Sequence, residues 1–220
     1  MARVSAREAL IQAGVELLER DGLGAVSARS LATAAGTSTM AVYSHFGGMT
    51  GVLEAIAGEV FGRFAHALTD APETDDPVAD FLRMGVAYHR FAVSDPQRYQ
   101  FMFGTSTPTP IAAHRVDMTA AGNVSDRAEW AFSFTALRTA VQRMMAAGRI
   151  RQDDELAVAG RLWSLTHGAV MLELAGFFGG DGRGFTHILG PLIVDTLVGM
   201  GDDRDAVNRS LQSVLTSLAG

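Results

Sequence analysis

Residues able to carry chemistry are few in this chain, and none is arranged for catalysis. There is no Cys, which excludes a disulfide, a thiolate metal site and a Cys nucleophile. His89, His114, His167 and His187 are dispersed, with no His-x-x-x-His pair to face one metal. His114-x-x-Asp117 is the nearest approach to a metal pattern, and it lies in a stretch without helical periodicity. No Gly-rich phosphate loop and no Gly-x-Ser-x-Gly elbow occurs. Neither metal, cofactor nor enzyme activity is expected. The informative stretch is Ser27 to Phe46, SARSLATAAGTSTMAVYSHF, whose short polar side chains suit recognition of a nucleic acid. Thr39 and Ser44 have the chemistry to hydrogen-bond bases or phosphates, and Met40 and Ala41 to pack on thymine methyl groups. Tyr43 and His45 suit backbone phosphates. Thr37, Ser27 and Arg29 complete this candidate DNA-contacting set.

Those residues need two short helices to position them. Leu31 and Ala32 supply apolar positions in the first; Val42, Tyr43 and Phe46 supply them in the second. Gly36 between them tolerates the left-handed backbone of a tight turn, and Ser27 and Ser38 stand where N-caps would sit. This is the sequence form of a helix-turn-helix, whose second helix, here about 38–45, enters the major groove of DNA. Ser5 with Glu8 forms a capping-box pattern for a preceding helix over 5–20. Leu10, Ala13, Gly14, Leu17 and Leu18 give that helix one apolar face. Arg3 and Arg7 at its start are placed to reach a phosphate.

Charge limits what the head can do. The chain carries a net −6, and all eighteen of its Lys and Arg positions are Arg. Tight non-specific binding to DNA is therefore not expected, and phosphate contacts must come from a few Arg, backbone N–H groups and helix N-termini.

Beyond Gly47-Gly48 the pattern stays helical. A long helix over 49–70 carries Val52, Leu53, Ile56, Val60, Phe64 and Leu68 on one stripe. An acidic segment, APETDDP, marks a boundary near 71–77. Helices are expected over 78–94, 96–103, 125–148, 154–178, 186–200 and 204–218, with 104–123 mostly loop. No period-2 alternation of a sheet is present, so the class is all-α. A hydrophobic content of 48% against 19% charged fits a globular chain rather than a disordered one. The first residues lack the apolar core of a signal peptide. The most apolar stretch, 156–178, contains Arg161, His167 and Glu173, against a membrane span. The expectation is a cytoplasmic protein without a membrane partner.

The first 66 residues resemble the tetracycline-repressor family of transcription regulators. Ala35-Gly36-x-Ser38-x-x-x-x-Tyr43-x-His45-Phe46, with Ser27 and Leu31-Ala32 before it, carries the resemblance. Asp95-Pro96-x-Arg98-Tyr99-x-x-Met102-Phe103 and Trp163-x-x-x-His167-Gly168 are similar to the subgroup named for a Trp, His-Gly signature. The resemblance implies a three-helix DNA-binding domain over 1–48. It implies a ligand-binding and dimerisation bundle over 49–220, with 49–70 as the linking helix. Two positions depart from the family pattern. Met40 stands where many members have Gly, and Met49 where many have a phosphate-touching Lys.

What the resemblance implies for the C-terminal part is a ligand cavity and a homodimer. The candidate cavity residues are Tyr88, His89, Phe91, Tyr99, Phe103, Trp130, Phe134, Met145, Trp163, His167 and Met171, with an apolar or aromatic small molecule as effector. The helices over 154–178 and 186–200 look like the dimerising pair, with Gly160, Ala169 and Gly176 allowing close helix approach. The resulting expectation is a ligand-released repressor that binds a near-palindromic double-stranded operator as a dimer. The alternative is a helical small-molecule binding protein with little or no DNA affinity, motivated by the non-basic head, Met40 and Met49.

Overall fold

A computed structural model describes residues 5–105 and 107–219 of the chain. Among these the regular structure is helical, with a single isolated bridge between Arg115 and Ser125 in place of any strand. Helix α1 spans Ala6–Asp21 and starts with the expected capping box, in which Ser5 and Glu8 bond each other's backbone N–H reciprocally. Helix α2 (Ala28–Ala34) and helix α3 (Thr39–Phe46) follow, then the 21-residue helix α4 (Met49–Thr69). Leu10, Leu18, Leu31, Val42 and Ile56 from these four helices are all but inaccessible to solvent. At about 1.5–3 kcal/mol for each fully buried large apolar side chain, they are what holds so small a head together.

Two glycines set how closely the head closes on α4. A Cβ on Gly14 would lie 2.4 Å from Ile56 Cδ1, so any larger residue there would force the Ile56 side chain to move. A Cβ on Gly51 would meet the Phe46 carbonyl oxygen at 2.1 Å, so α4 begins folded tightly over the end of α3.

The body is built on helices α5 (Pro77–Ser94), α6 (Pro96–Phe103), α7 (Thr109–Ala112), α8 (Met118–Ala121), α9 (Ala128–Ala146) and α10 (Glu155–Leu174). A π-helical turn, Gly184–Leu189, runs into α11 (Gly190–Gly199), and α12 is Arg204–Ala219. Asp76 and Asp95 cap α5 and α6 by accepting backbone N–H groups, each with Pro in the first turn, where its missing donor costs nothing. The stretch 104–123 is not all loop, since α7 and α8 lie in it. The helix expected from 125 starts at Ala128, because the Ser125 hydroxyl bonds the His114 carbonyl and accepts from Arg127 N–H. The helix expected to reach 178 stops at Leu174, and Gly176 follows with φ +87°.

One apolar cluster runs from Leu10 through α4 to Tyr99, Trp130 and Val170, so head and body share a core. Arg98 of α6 adds a polar tie. It donates to Glu19 of α1 at 2.8 Å while its guanidinium lies 4.0 Å over the Phe91 ring. Farther from the head, Arg149 joins three elements by bonding Asp76, Asp202 and Ser210.

Candidate functional site

The turn between α2 and α3 is assembled by local hydrogen bonds that the sequence encodes. Ser27 and Ser30 cap each other reciprocally at the start of α2. Gly36 takes φ +62°, while its own N–H and that of Thr37 bond the Thr33 and Ala32 carbonyls, a Schellman ending that needs a left-handed residue. Ser38 Oγ then accepts from Ala41 N–H to start α3. Val42 alone of α3 is fully buried and Phe46 is half-buried, so the rest of the helix is free to face outward. Thr37, Thr39, Ser44 and His45 are exposed, Met40 is 73% and Tyr43 54% exposed, and Ala41 is half-buried. Tyr43 is therefore not one of the inward apolar positions of α3. On an eight-residue helix the i, i+4 pair Val42 and Phe46 already spans the inward face, and Tyr43 falls beside it. The Ser27 hydroxyl is engaged in its cap, and that of Ser44 donates to the Ala41 carbonyl at 3.1 Å.

Positive charge around this face is scarce. Arg20 pairs with Asp21, and Arg63 pairs with Glu59 and donates to Gln12. Arg7 and Arg29 are exposed, and neither meets a carboxylate among the described residues. The Arg7 guanidinium lies 5.3 Å from the Phe46 ring centre, a cation–π contact that holds a charge beside the end of α3. Arg3 lies outside the described residues. Met49 is half-buried against the apolar core, which leaves the backbone N–H groups at the start of α4 as the anion-seeking feature there.

Below the head, α4, α5, α6, α9, α10 and the last two helices line a partly open cavity of about 640 Å³, within the range of small-molecule sites. Its wall is mostly aromatic and aliphatic, with Phe61 stacked on Trp130 at 5.4 Å and Phe134 edge-on to Trp163 at 5.8 Å. Against it sits a buried polar cluster. Tyr88 and Tyr99 hydroxyls are 2.6 Å apart, and Tyr99 Oη is 2.6 Å from His167 Nδ1. Burial pushes the Tyr88 hydroxyl up to about 12, and burial followed by the adjacent Tyr88 raises Tyr99 also. Burial lowers the His167 pKa and the charge of Arg115 lowers it further. A lowered pKa favours the neutral imidazole, and in its Nε2–H tautomer Nδ1 accepts a hydrogen bond from the Tyr99 hydroxyl.

Two family models match the chain. Residues 10–56 match the tetR family of bacterial regulatory proteins, and residues 81–189 match the tetracyclin repressor-like C-terminal domain. The chain belongs to the tetR family. Regulators of this family are DNA-binding proteins rather than enzymes in general, and ligand binding and homodimers are typical of them. Among curated proteins none matches the sequence. Solved structures share the fold. A protein of unknown function from Rhodococcus sp. RHA1 is 22% identical with a TM-score of 0.70, covering 91% of this chain and 97% of its own. RolR in complex with resorcinol is 17% identical with a TM-score of 0.63, over 93% and 92%. A TetR-family transcriptional regulator from Haemophilus influenzae RD is 18% identical with a TM-score of 0.54, over 89% and 96%.

In this tetR-family chain, Tyr88, Phe103, Trp130, Phe134 and Trp163 line the cavity. Tyr99 and His167 stand off the wall, in the hydrogen-bonded cluster with Tyr88. Four other sequence candidates lie elsewhere. His89 Nε2 is 2.8 Å from Glu173 Oε2, with its ring against Phe185. Phe91 is buried between Phe64 and Arg98, and Met145 is buried in the same cluster as Phe134 and Ile150 but off the cavity wall. Met171 packs against the core beside the head. Each is apolar or aromatic at helical spacing, but on the wrong side of its helix. Gly160 and Ala169 are likewise turned inward: a Cβ on Gly160 would touch Met118 at 2.8 Å, so its close approach is to α8 of the same chain. The sequence reading missed Phe61, Phe81, Met84, Gly85, His114 and Arg115 as wall residues. Phe81, Met84, Gly85 and Tyr88 follow i, i+3, i+4, i+7 spacing, a signal for one face that a small residue in its middle leaves open. Nothing in the sequence signals that 104–123 folds over the cavity.

Among the described residues no group of His, Asp and Glu is arranged to hold a metal, and no helix is long and apolar enough to cross a membrane.

Proposed function

We propose that this tetR-family protein is a homodimeric repressor that leaves its operator when a small molecule fills the cavity. Residues 1–48 are the DNA-reading domain and 49–220 the effector and dimer domain. The observation that carries the reading is α4. Val52 and Ile56 of this one helix lie in the head core, while Phe61, Phe64 and Leu68 line the cavity. A ligand that fits better against a tilted α4 favours a different head position, which is all that population shift requires.

Thr37, Thr39, Met40, Ala41, Tyr43, Ser44 and His45 are the reading set, with Arg29 and the α2 end at Ser27 on phosphates. Support for the dimer comes from exposed Leu172, Phe177, Ile188 and Leu192, an apolar surface at the end of α10 and along the π-helical turn and α11. A two-fold dimer would present two recognition helices roughly 34–36 Å apart, or a multiple of that, to a near-palindromic site. The effector reading is an apolar or aromatic molecule.

The paired arginines and the half-buried Met49 favour the alternative, a ligand-binding protein with little DNA affinity. One experiment decides. A mobility shift with the DNA flanking the protein's own gene, at low and moderate salt, should show specific binding that weakens with salt and is lost in Tyr43→Ala. Absence of any binding at low salt would establish the alternative.

A further inference from the structure

The cavity wall carries an uncompensated positive charge. Besides Tyr88, whose raised pKa keeps it neutral, its ionisable residues are His114, Arg115, Asp195 and Arg204. His114 Nδ1 is 2.8 Å from Asp126, and Nε2 faces Glu54 at 3.8 Å. Asp195 and Arg204 pair with each other at 2.8 Å. Arg115 alone meets no carboxylate among the described residues. Both bonds of its side chain run from Nη2, to the Met102 carbonyl at 3.2 Å and to Thr107 Oγ1 at 2.7 Å. They fix the guanidinium where α6 ends and leave the Nε and Nη1 N–H groups without a protein acceptor among the described residues. The residue is exposed as well as cavity-lining, so it stands at a rim. Its field also reaches inward, since it helps to lower the His167 pKa.

A guanidinium anchored on two neutral acceptors beside an apolar chamber is matched by one anionic group on an otherwise apolar molecule. We propose that the cavity takes a monoanionic amphiphile, an apolar chain or ring system bearing one carboxylate, with the carboxylate on Arg115 at the rim. The inference rests on the effector-cavity reading above and narrows the ligand from apolar molecules in general to singly charged anions.

The chain's two tryptophans, Trp130 and Trp163, both line the cavity, so intrinsic fluorescence of the full-length protein reports occupancy directly. Decanoate, decan-1-ol and decyltrimethylammonium, each kept below its micellar concentration, share a chain and differ in head group. Decanoate should bind roughly tenfold more tightly than decanol, with the cation weakest. Arg115→Gln should reduce decanoate to the level of decanol and leave decanol unchanged, which also shows that the variant's cavity is intact. Arg115→Lys should keep part of the preference. Decanol binding as tightly as decanoate, a preference that survives in Arg115→Gln, or no fluorescence change with any of the three overturns the proposal. A decanoate preference without any effect on DNA binding upholds the ligand class and overturns ligand release instead.

Discussion

The salt dependence of operator binding follows from counting the head's free cations. Each head has Arg7 and Arg29 exposed and without a carboxylate among the described residues, whereas Arg20 and Arg63 are paired. Bonds to phosphate from backbone N–H groups, such as those at the start of α4, add no charge and release no counterion. A dimer then neutralises about four phosphates, and at about 0.9 per phosphate the slope of log K against log[salt] is about −3.6. Adding Arg3 of each chain brings it to about −5. Raising salt from about 50 to 200 mM should weaken binding roughly a hundredfold with Arg7 and Arg29 alone and about a thousandfold with Arg3 added. The chain's net charge of −6 acts in the same direction, because its repulsion from DNA is screened as salt rises. Arg29→Gln removes one cation per protomer and should flatten the slope by about 2. The assay is fluorescence anisotropy of a labelled duplex from the gene's own flank, titrated at several KCl concentrations. A slope steeper than about −7 would falsify the count, as would an unchanged slope in Arg29→Gln.

Two further expectations concern the body. The Asp202 carboxylate is 2% exposed and accepts from Arg149 Nε at 2.9 Å and Nη2 at 3.0 Å; Asp202→Ala should cost about 3 kcal/mol, the low end for a broken buried pair because Arg149 keeps Asp76. Urea unfolding measures it, and a loss under about 1 kcal/mol would mean that solvent already reaches the pair. His167 should make the fold acid-sensitive, since burial, then Arg115, holds its folded pKa below the ordinary value. As pH falls the unfolded chain takes up this proton first, so the contribution is complete above about pH 6.5 and is lost as pH drops toward the folded value. The urea midpoint should be lower at about pH 5.5 than at about 7.5, and His167→Asn should shrink that difference; an undiminished difference assigns it to other groups.

Features set by chemistry within a few residues can be read from the amino-acid order alone. The capping box of Ser5 and Glu8, Gly36 in its left-handed turn, Ser38 at the head of α3 and the Pro-started α5 and α6 each act within a few residues. Their effect is legible without the rest of the chain. The all-α class and the order of the long helices were legible for the same reason, as was the tetR-family head. Which side of a helix meets a neighbour, by contrast, is settled only when the helices pack. Periodicity marked Phe134 and Met145 alike as inward, and both lie in one buried cluster, but only the packing of α9 puts Phe134 on the cavity wall and leaves Met145 off it. Tyr43 looked like a packing residue of α3 until Val42 and Phe46 proved to span the inward face. The stretch 104–123 has no periodicity to read, and it brings Arg115 to the rim of the cavity. A charge left without a partner is a property of the assembled wall, since it depends on where Asp126, Glu54 and Asp195 find theirs.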